Sequence, residues 1–212
     1  MNILSPKFIS IEGTEGVGKT TAIDGFCQKL SSQGIAHIRT REPGGSKLAE
    51  CLREILLSNK SDIDDDTELL LMFAARSDHV HKVILPALAD GKWVVCDRFI
   101  DSTVAYQGFG RYGGNPSKLA KIQYLIDGFV PRLPDVTFWL DLDPVIGIQR
   151  AGKRSVADRF ESNDSSFFYR TYQGFIHQHQ HHAHRIHRIH ANQSPNDIVS
   201  DMIRHINQTD KS

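Results

Sequence analysis

The chain has 212 residues, 40% apolar and 24% charged, with 25 basic residues balanced by 25 acidic ones. That balance argues against a general nucleic-acid binder, which carries a basic excess, and the length suits a single core domain. No apolar run approaches the roughly 20 residues of a membrane span. The three scattered cysteines, Cys27, Cys51 and Cys96, lack a C-x-x-C pair, so neither a disulfide framework nor a zinc site is suggested. With no basic-then-apolar leader at the start, the expected setting is cytoplasmic, with neither membrane nor nucleic acid as partner.

In chain order, Lys7 to Ile11 alternates apolar and polar residues and predicts a strand. Gly13-Thr14-Glu15-Gly16-Val17-Gly18-Lys19-Thr20 follows as G-x-x-x-x-G-K-T, the phosphate-binding P-loop pattern, and opens a helix over Thr21 to Leu30. Ile35 to Thr40 predicts a second strand, and Leu48 to Leu57 a helix after the loop Arg41 to Gly45. An acidic linker leads to a long helix, Thr67 to Leu88, bent or broken near Pro86. Lys92 to Asp97 is a β-branched strand ending on an acid, and Ile100 to Tyr106 a helix. Gly108 to Gly114, with four glycines, reads as a loop. A helix over Ser117 to Phe129, a buried strand over Val136 to Leu142 and a helix from Pro144 to Gly152 come next. Phe167 to Arg188 predicts a long helix whose end, Ile186 to His190, can form a strand, and a final helix starts at Ser194 or Pro195. Strands alternating with helices imply a parallel sheet covered on both faces.

The chemistry concentrates in three places. In the P-loop, glycines let successive N–H groups point at phosphate oxygens, Lys19 reaches the β- and γ-phosphates, and the Thr20 hydroxyl can bind Mg²⁺. Asp97-Arg98-Phe99 sits at the carboxyl end of a strand, where open α/β sheets bind ligands; Asp97 can hold Mg²⁺ or its waters, and Arg98 a second phosphate. Gln149 to Arg154 places Arg150, Lys153 and Arg154 around a glycine; taken alone this reads as a solvated basic helix end, but it also suits a lid closing on a transferring phosphoryl group. Two patterns read as coincidence. Asn59-Lys60-Ser61-Asp62 spells a guanine-reading motif but lies in the acidic linker, and no D-x-x-G accompanies it, which argues against a GTP-binding switch. Seven of the 11 histidines lie between His177 and His190, with His177, His181 and His184 on one helical face; a solvated surface helix is the plainer reading than a metal site.

In that order, the P-loop, Arg41-Glu42-Pro43-Gly44-Gly45, Leu71 to Arg76, Asp97-Arg98-Phe99 and Ala105-Tyr106-Gln107-Gly108 resemble the thymidylate kinase family, over nearly the whole chain. The resemblance implies an α/β, three-layer P-loop NTPase fold: one domain spanning 1–212, a parallel sheet of about five strands with helices on both faces, and a small lid at about 150–162. It implies phosphorylation of dTMP to dTDP with ATP–Mg²⁺ in dTTP biosynthesis, by a homodimer. The ATP-binding set is then Gly13, Thr14, Glu15, Gly16, Val17, Gly18, Lys19, Thr20, Arg150 and Arg154. The dTMP set is Glu15, Glu42, Pro43, Arg53, Met72, Phe73, Arg76, Arg98, Thr103, Tyr106 and Gln107. Catalysis falls to Lys19, Asp97, Arg98, Arg154 and Glu15, with Thr20 and Asp97 on the metal. The family pattern has Phe four residues before the base-binding Arg, but here that position is Met72 and Phe73 follows it, so either can cover the base. The P-loop carries no Arg, so the sequence resembles the bacterial type whose lid supplies the catalytic arginine, with Arg159 supporting Arg154. Another small-molecule P-loop kinase is the alternative within enzymes.

Overall fold

A computed structural model describes residues 5–151, 159–160 and 164–209. Five strands, β1 (Phe8–Glu12), β2 (His37–Arg41), β3 (Trp93–Asp97), β4 (Val136–Asp141) and β5 (Ile186–His190), form one parallel sheet in the order β2-β3-β1-β4-β5. The helices are α1 (Lys19–Ser32), α2 (Lys47–Leu57), α3 (Asp65–His79), α4 (Leu85–Ala89), α5 (Ile100–Thr103), α6 (Pro116–Phe129), α7 (Pro144–Ala151), α8 (Ser165–His181) and α9 (Pro195–Thr209). Among the described residues, no helix is long and apolar enough to cross a membrane.

Side-chain alternation divides the strands between two cores. Ile9 and Ile11 of β1 join Phe138 and Leu140 of β4 against Ile23, Phe26 and Leu30 of α1 and Met202 and Ile206 of α9. Phe8 of β1 and Val94 and Cys96 of β3 face the other way, onto a core that includes Leu69, Phe73, Ile100 and Ile122. The same two-residue period sends Glu12, the last residue of β1, to this second side, where it is fully buried. Everything that follows the carboxyl ends of β1, β2 and β3 therefore gathers at one edge of the sheet.

Three expected elements differ. The long third helix starts at Asp65, capped by the Asp64 side chain on the Thr67 N–H; of the two alternatives, a bend or a break near Pro86, the break does not occur, and the helix widens into a π-helical turn at Val80–Ile84 and continues as α4. That turn lies just ahead of a proline that has no N–H to give and would crowd the carbonyl of Lys82 in a regular helix. The glycines read as a loop from Gly108 remain helical to Arg111, as a π-helix over Val104–Arg111. They are there for close packing: a Cβ on Gly108 would stand 2.7 Å from Leu119, and one on Gly110 2.6 Å from Phe167. Finally, α8 ends at His181, so His184 lies in a turn and the expected three-histidine face does not form; the His177 and His181 rings stack at 4.0 Å. Among the described residues no group of three or more His, Cys, Asp or Glu side chains is placed to hold a metal.

Candidate active site

The P-loop joins β1 to α1 through Gly13, Gly16 and Gly18, whose φ angles are 146°, 73° and 91°. Gly16 is also held by contact, because a Cβ there would stand 2.0 Å from the Gly147 carbonyl oxygen of α7. Lys19, the first residue of α1, folds back to donate from Nζ to the carbonyls of Gly13 (2.9 Å) and Thr14 (3.1 Å). Burial, followed by the charge of Arg98, lowers its pKa to about 8.

Arg98 follows β3 with φ 69°, the non-glycine residue with positive φ among those described. Such a backbone costs of order 1–3 kcal/mol and persists where surrounding contacts over-determine it. Here they do. The Arg98 N–H donates to the Ile11 carbonyl (3.0 Å), Nη1 to the Gly13 carbonyl (2.9 Å) and Ser102 Oγ (3.2 Å), and Nη2 to Glu15 Oε1 (2.9 Å). The guanidinium lies 4.8 Å from the Tyr106 ring centroid, and the Tyr106 hydroxyl donates to the same Glu15 oxygen at 2.6 Å. Burial, opposed by Arg98 and reinforced by Glu15, holds the Tyr106 hydroxyl well above its usual pKa.

Beneath this group sits Glu12, which the sequence reading did not single out. Its Oε1 accepts from the Phe99 N–H (2.7 Å) and its Oε2 from the Ser102 hydroxyl (2.5 Å). Burial, then the nearby Asp101, raises its pKa to about 7. Asp101 in turn is gripped by both terminal nitrogens of Arg185, each at 2.8 Å.

The rest of the cleft has the same construction. Arg76 donates from Nε to Glu42 Oε2 (2.7 Å) and from Nη2 to Thr103 Oγ1 (2.9 Å) and the Phe99 carbonyl (3.3 Å), while its Nη1 is buried without a hydrogen-bond partner. Glu42 Oε1 meets His79 Nδ1 at 2.9 Å. Arg53 donates to the Pro43 carbonyl at 2.7 Å. Gln107 donates from Nε2 to Glu68 at 2.7 Å, and Arg159 donates to the same carboxylate at 2.6 Å.

A cleft of about 250 Å³ is lined by Glu15 to Thr20, Glu42, Pro43, Arg53, Met72, Arg76, Asp97, Arg98, Thr103, Tyr106 and Gln107, which unites most of the expected residues. Gly13 and Thr14 lie behind this lining as the carbonyls that Lys19 holds. Phe73 is elsewhere: it packs in the core with Phe99 and Ile100, its ring 5.1 Å from the Arg76 guanidinium, whereas Met72 faces the cleft. Arg150 donates to Asn192 at the exposed edge of α7. Arg154, with Lys153 and most of the expected lid, lies outside the described residues. Ser102 and Phe160 also line the cleft and were not foreseen. Phe160 carried a faint signal, as an aromatic directly after the basic stretch, and Glu68 another, as an acid at the head of an apolar helix.

A phosphate-binding loop on a 2-3-1-4-5 parallel sheet, with Arg53, Arg76 and Arg98 lining the same cleft, is the arrangement of a P-loop kinase. The thymidylate kinase family model matches residues 11–203. The chain is 68% identical over 174 residues to the thymidylate kinase of Psychrobacter sp. (strain PRwf-1), covering 82% of this chain and 84% of that protein. It is 45% identical over 201 residues to that of Acinetobacter baylyi, covering 94% and 98%. The crystal structure of thymidylate kinase from Ehrlichia chaffeensis superposes with a TM-score of 0.76 at 32% identity, covering 96% of this chain and 99% of that one. The chain belongs to the thymidylate kinase family, enzymes that phosphorylate dTMP to dTDP with ATP as donor.

Proposed function

We propose that residues 1–212 form a single domain in which the P-loop holds ATP and the pocket from Arg53 to Gln107 holds dTMP, with Arg98 as the pivot between them. The observation that carries this is Arg98 itself. Its strained backbone is held so that one guanidinium touches the P-loop carbonyl of Gly13, the P-loop acid Glu15 and the pocket wall at Tyr106. An arginine so placed can grip the 5′-phosphate of dTMP and present it to the γ-phosphate beside Lys19. The acceptor phosphate, with a second pKa of about 6, is mostly ionised at neutral pH, so no strong general base is needed. What the site must supply is positive charge and alignment.

Mg²⁺ fits this chain. Thr20 and Asp97 line the same cleft, and Asp97 Oδ1 is buried without a hydrogen-bond partner. Thr20 and Asp97 would hold the ion, which when bound would supply positive charge to offset that of the phosphates. Glu15, whose Oε2 is likewise buried and unpartnered, faces the acceptor as a contact for the sugar hydroxyl. Arg76 and Gln107 read the base, Thr103 fixes Arg76, Met72 covers the ring, and Glu42, Pro43 and Arg53 complete the pocket wall. The remaining cationic work falls to a lid at about 150–162, with Arg154 on the γ-phosphate; the P-loop's own lack of an arginine supports that assignment. Exposed Leu70 on α3 and Tyr124 and Phe129 on α6 support a homodimer formed across that face. The free thiols of Cys27, Cys51 and Cys96 support a reducing, cytoplasmic setting.

A coupled ADP-release assay across the nucleoside monophosphates tests the reading: dTMP should be preferred, and a preference for AMP would overturn it. Arg98→Ala should lower kcat/KM for dTMP by roughly 10²–10³ with an unchanged far-UV circular dichroism spectrum.

A further inference from the structure

Two cleft groups take their orientation from buried carboxylates behind them. Arg76 is held by Glu42, and Gln107 is held by Glu68. The second case carries information that the first does not. A guanidinium donates whichever way it turns, but a primary amide has one donor end and one acceptor end of nearly identical shape. Whatever fixes the amide therefore fixes what the cleft can recognise.

We propose that Glu68 is a positioning residue for pyrimidine selectivity, acting by locking the Gln107 amide with its carbonyl oxygen toward the base. The proposal rests on the reading of Gln107 as a base contact. Glu68 stands in the first turn of α3, fully buried, with a carboxylate that has only acceptors to offer. Gln107, 1% exposed, commits its Nε2 to that carboxylate at 2.7 Å. The carboxylate cannot swing to release it. Arg111 donates from Nε (3.5 Å) to one oxygen and from Nη2 (3.2 Å) to the other, and Arg159 donates to the second oxygen at 2.6 Å. The Arg111 guanidinium is itself wedged 4.9 Å from the Phe167 ring centroid.

With its nitrogen turned to Glu68, Gln107 offers the cleft its acceptor end, and Arg76 offers the unpartnered donor Nη1. That pair matches thymine, which presents an N3–H donor beside the O4 acceptor. It opposes cytosine, which presents an N3 acceptor beside a 4-amino donor. A flipped Gln107 would put N–H against N–H for dTMP and would match the N3 acceptor of dCMP, although the cytosine 4-amino group would still face the Arg76 donor. Burial makes the mismatch expensive, because neither group has water to turn to.

The test is the ratio of kcat/KM for dTMP to that for dCMP in the full-length enzyme. Glu68→Gln keeps the shape but can donate as well as accept, so the Gln107 amide is no longer held. The ratio should fall about tenfold or more, through a raised KM for dTMP and an improved KM for dCMP, with kcat for dTMP within about threefold of the parent. In a Gln107→Ala background the same change should leave the ratio unmoved, because nothing remains to be oriented. An unchanged ratio in Glu68→Gln, or an equal fall in both backgrounds, would overturn the proposal. If Gln107→Ala alone leaves the ratio at the parent value, the base-contact reading fails and takes the proposal with it. Should Glu68→Gln not fold, Glu68→Asp, which withdraws the carboxylate by one methylene, is measured in the same cycle.

Discussion

The two halves of the cleft are built from different materials. The donor half is backbone: three glycines with positive φ, the N-terminus of α1, and a lysine that waits on two loop carbonyls. The acceptor half is side chains, in which guanidinium, amide and hydroxyl groups are held in place by buried carboxylates. Glu12 fixes Ser102 and the Phe99 N–H, Glu42 fixes Arg76, and Glu68 fixes Gln107. A phosphate is recognised by any concave array of N–H groups, so a backbone suffices. A base has an edge with a sequence of donors and acceptors, and only oriented side chains can match it.

The contrast is broken most severely at the donor half, where the backbone leaves no room to adapt. Gly16→Ala would place a methyl group 2.0 Å from the Gly147 carbonyl in a backbone with φ 73°. The loop or α7 must move, and ATP binding should weaken by at least about a hundredfold in isothermal titration. Retention of parental affinity would show that the loop and α7 are not in fixed contact.

The acceptor half should instead betray itself through pH. Glu12 has its pKa raised from 4.5 to about 7 by burial and then Asp101, so between those values the native state binds more protons than the unfolded chain. Stability therefore falls as pH rises through that window, by up to about 3 kcal/mol from this group, and is not regained above it. Glu12→Gln has no proton to lose. Urea unfolding at pH 5 and pH 8 should show the variant gaining on the parent at the higher pH by that order, and a constant difference would contradict the buried, protonatable Glu12.

The donor half has a smaller pH signature, from a pKa that burial shifts in the other direction. Burial, then Arg98, lowers the Lys19 pKa to about 8, whereas phosphate needs the charged form. The dissociation constant for ATP should rise as pH passes 8, by about tenfold per unit at most, and Lys19→Arg should flatten that rise because a guanidinium stays charged. A flat profile in the parent would place Lys19 in water rather than beneath the loop.

Much of this was readable in advance, and the reasons are local. The P-loop pattern, the five strands and Asp97-Arg98 at a strand end depend on short-range chemistry: glycine's free φ, two-residue alternation, an acid that terminates a buried strand. The errors came where packing overrode local preference. Gly108 and Gly110 look like loop residues by composition, yet they stay helical because Leu119 and Phe167 occupy the space where side chains would be. Phe73 and Met72 are neighbours on one helix, and nothing in their spacing to Arg76 says which faces the core; the position of Phe99 and Ile100 decides that Phe73 goes inward.

The sequence by itself determined the class of fold, the phosphate-binding loop and the family to which the chain belongs, because those are carried by contiguous motifs whose physics is complete within a few residues. Only the tertiary structure decided what stands behind each cleft residue. Glu12 reaches Ser102 across 90 residues, Glu42 reaches Arg76 across 34 and Glu68 reaches Gln107 across 39. Pairings at such separations leave no pattern in one sequence. They exist because a parallel sheet delivers the ends of β1, β2 and β3 to the same edge, and because a buried carboxylate must find its donors wherever the fold has placed them.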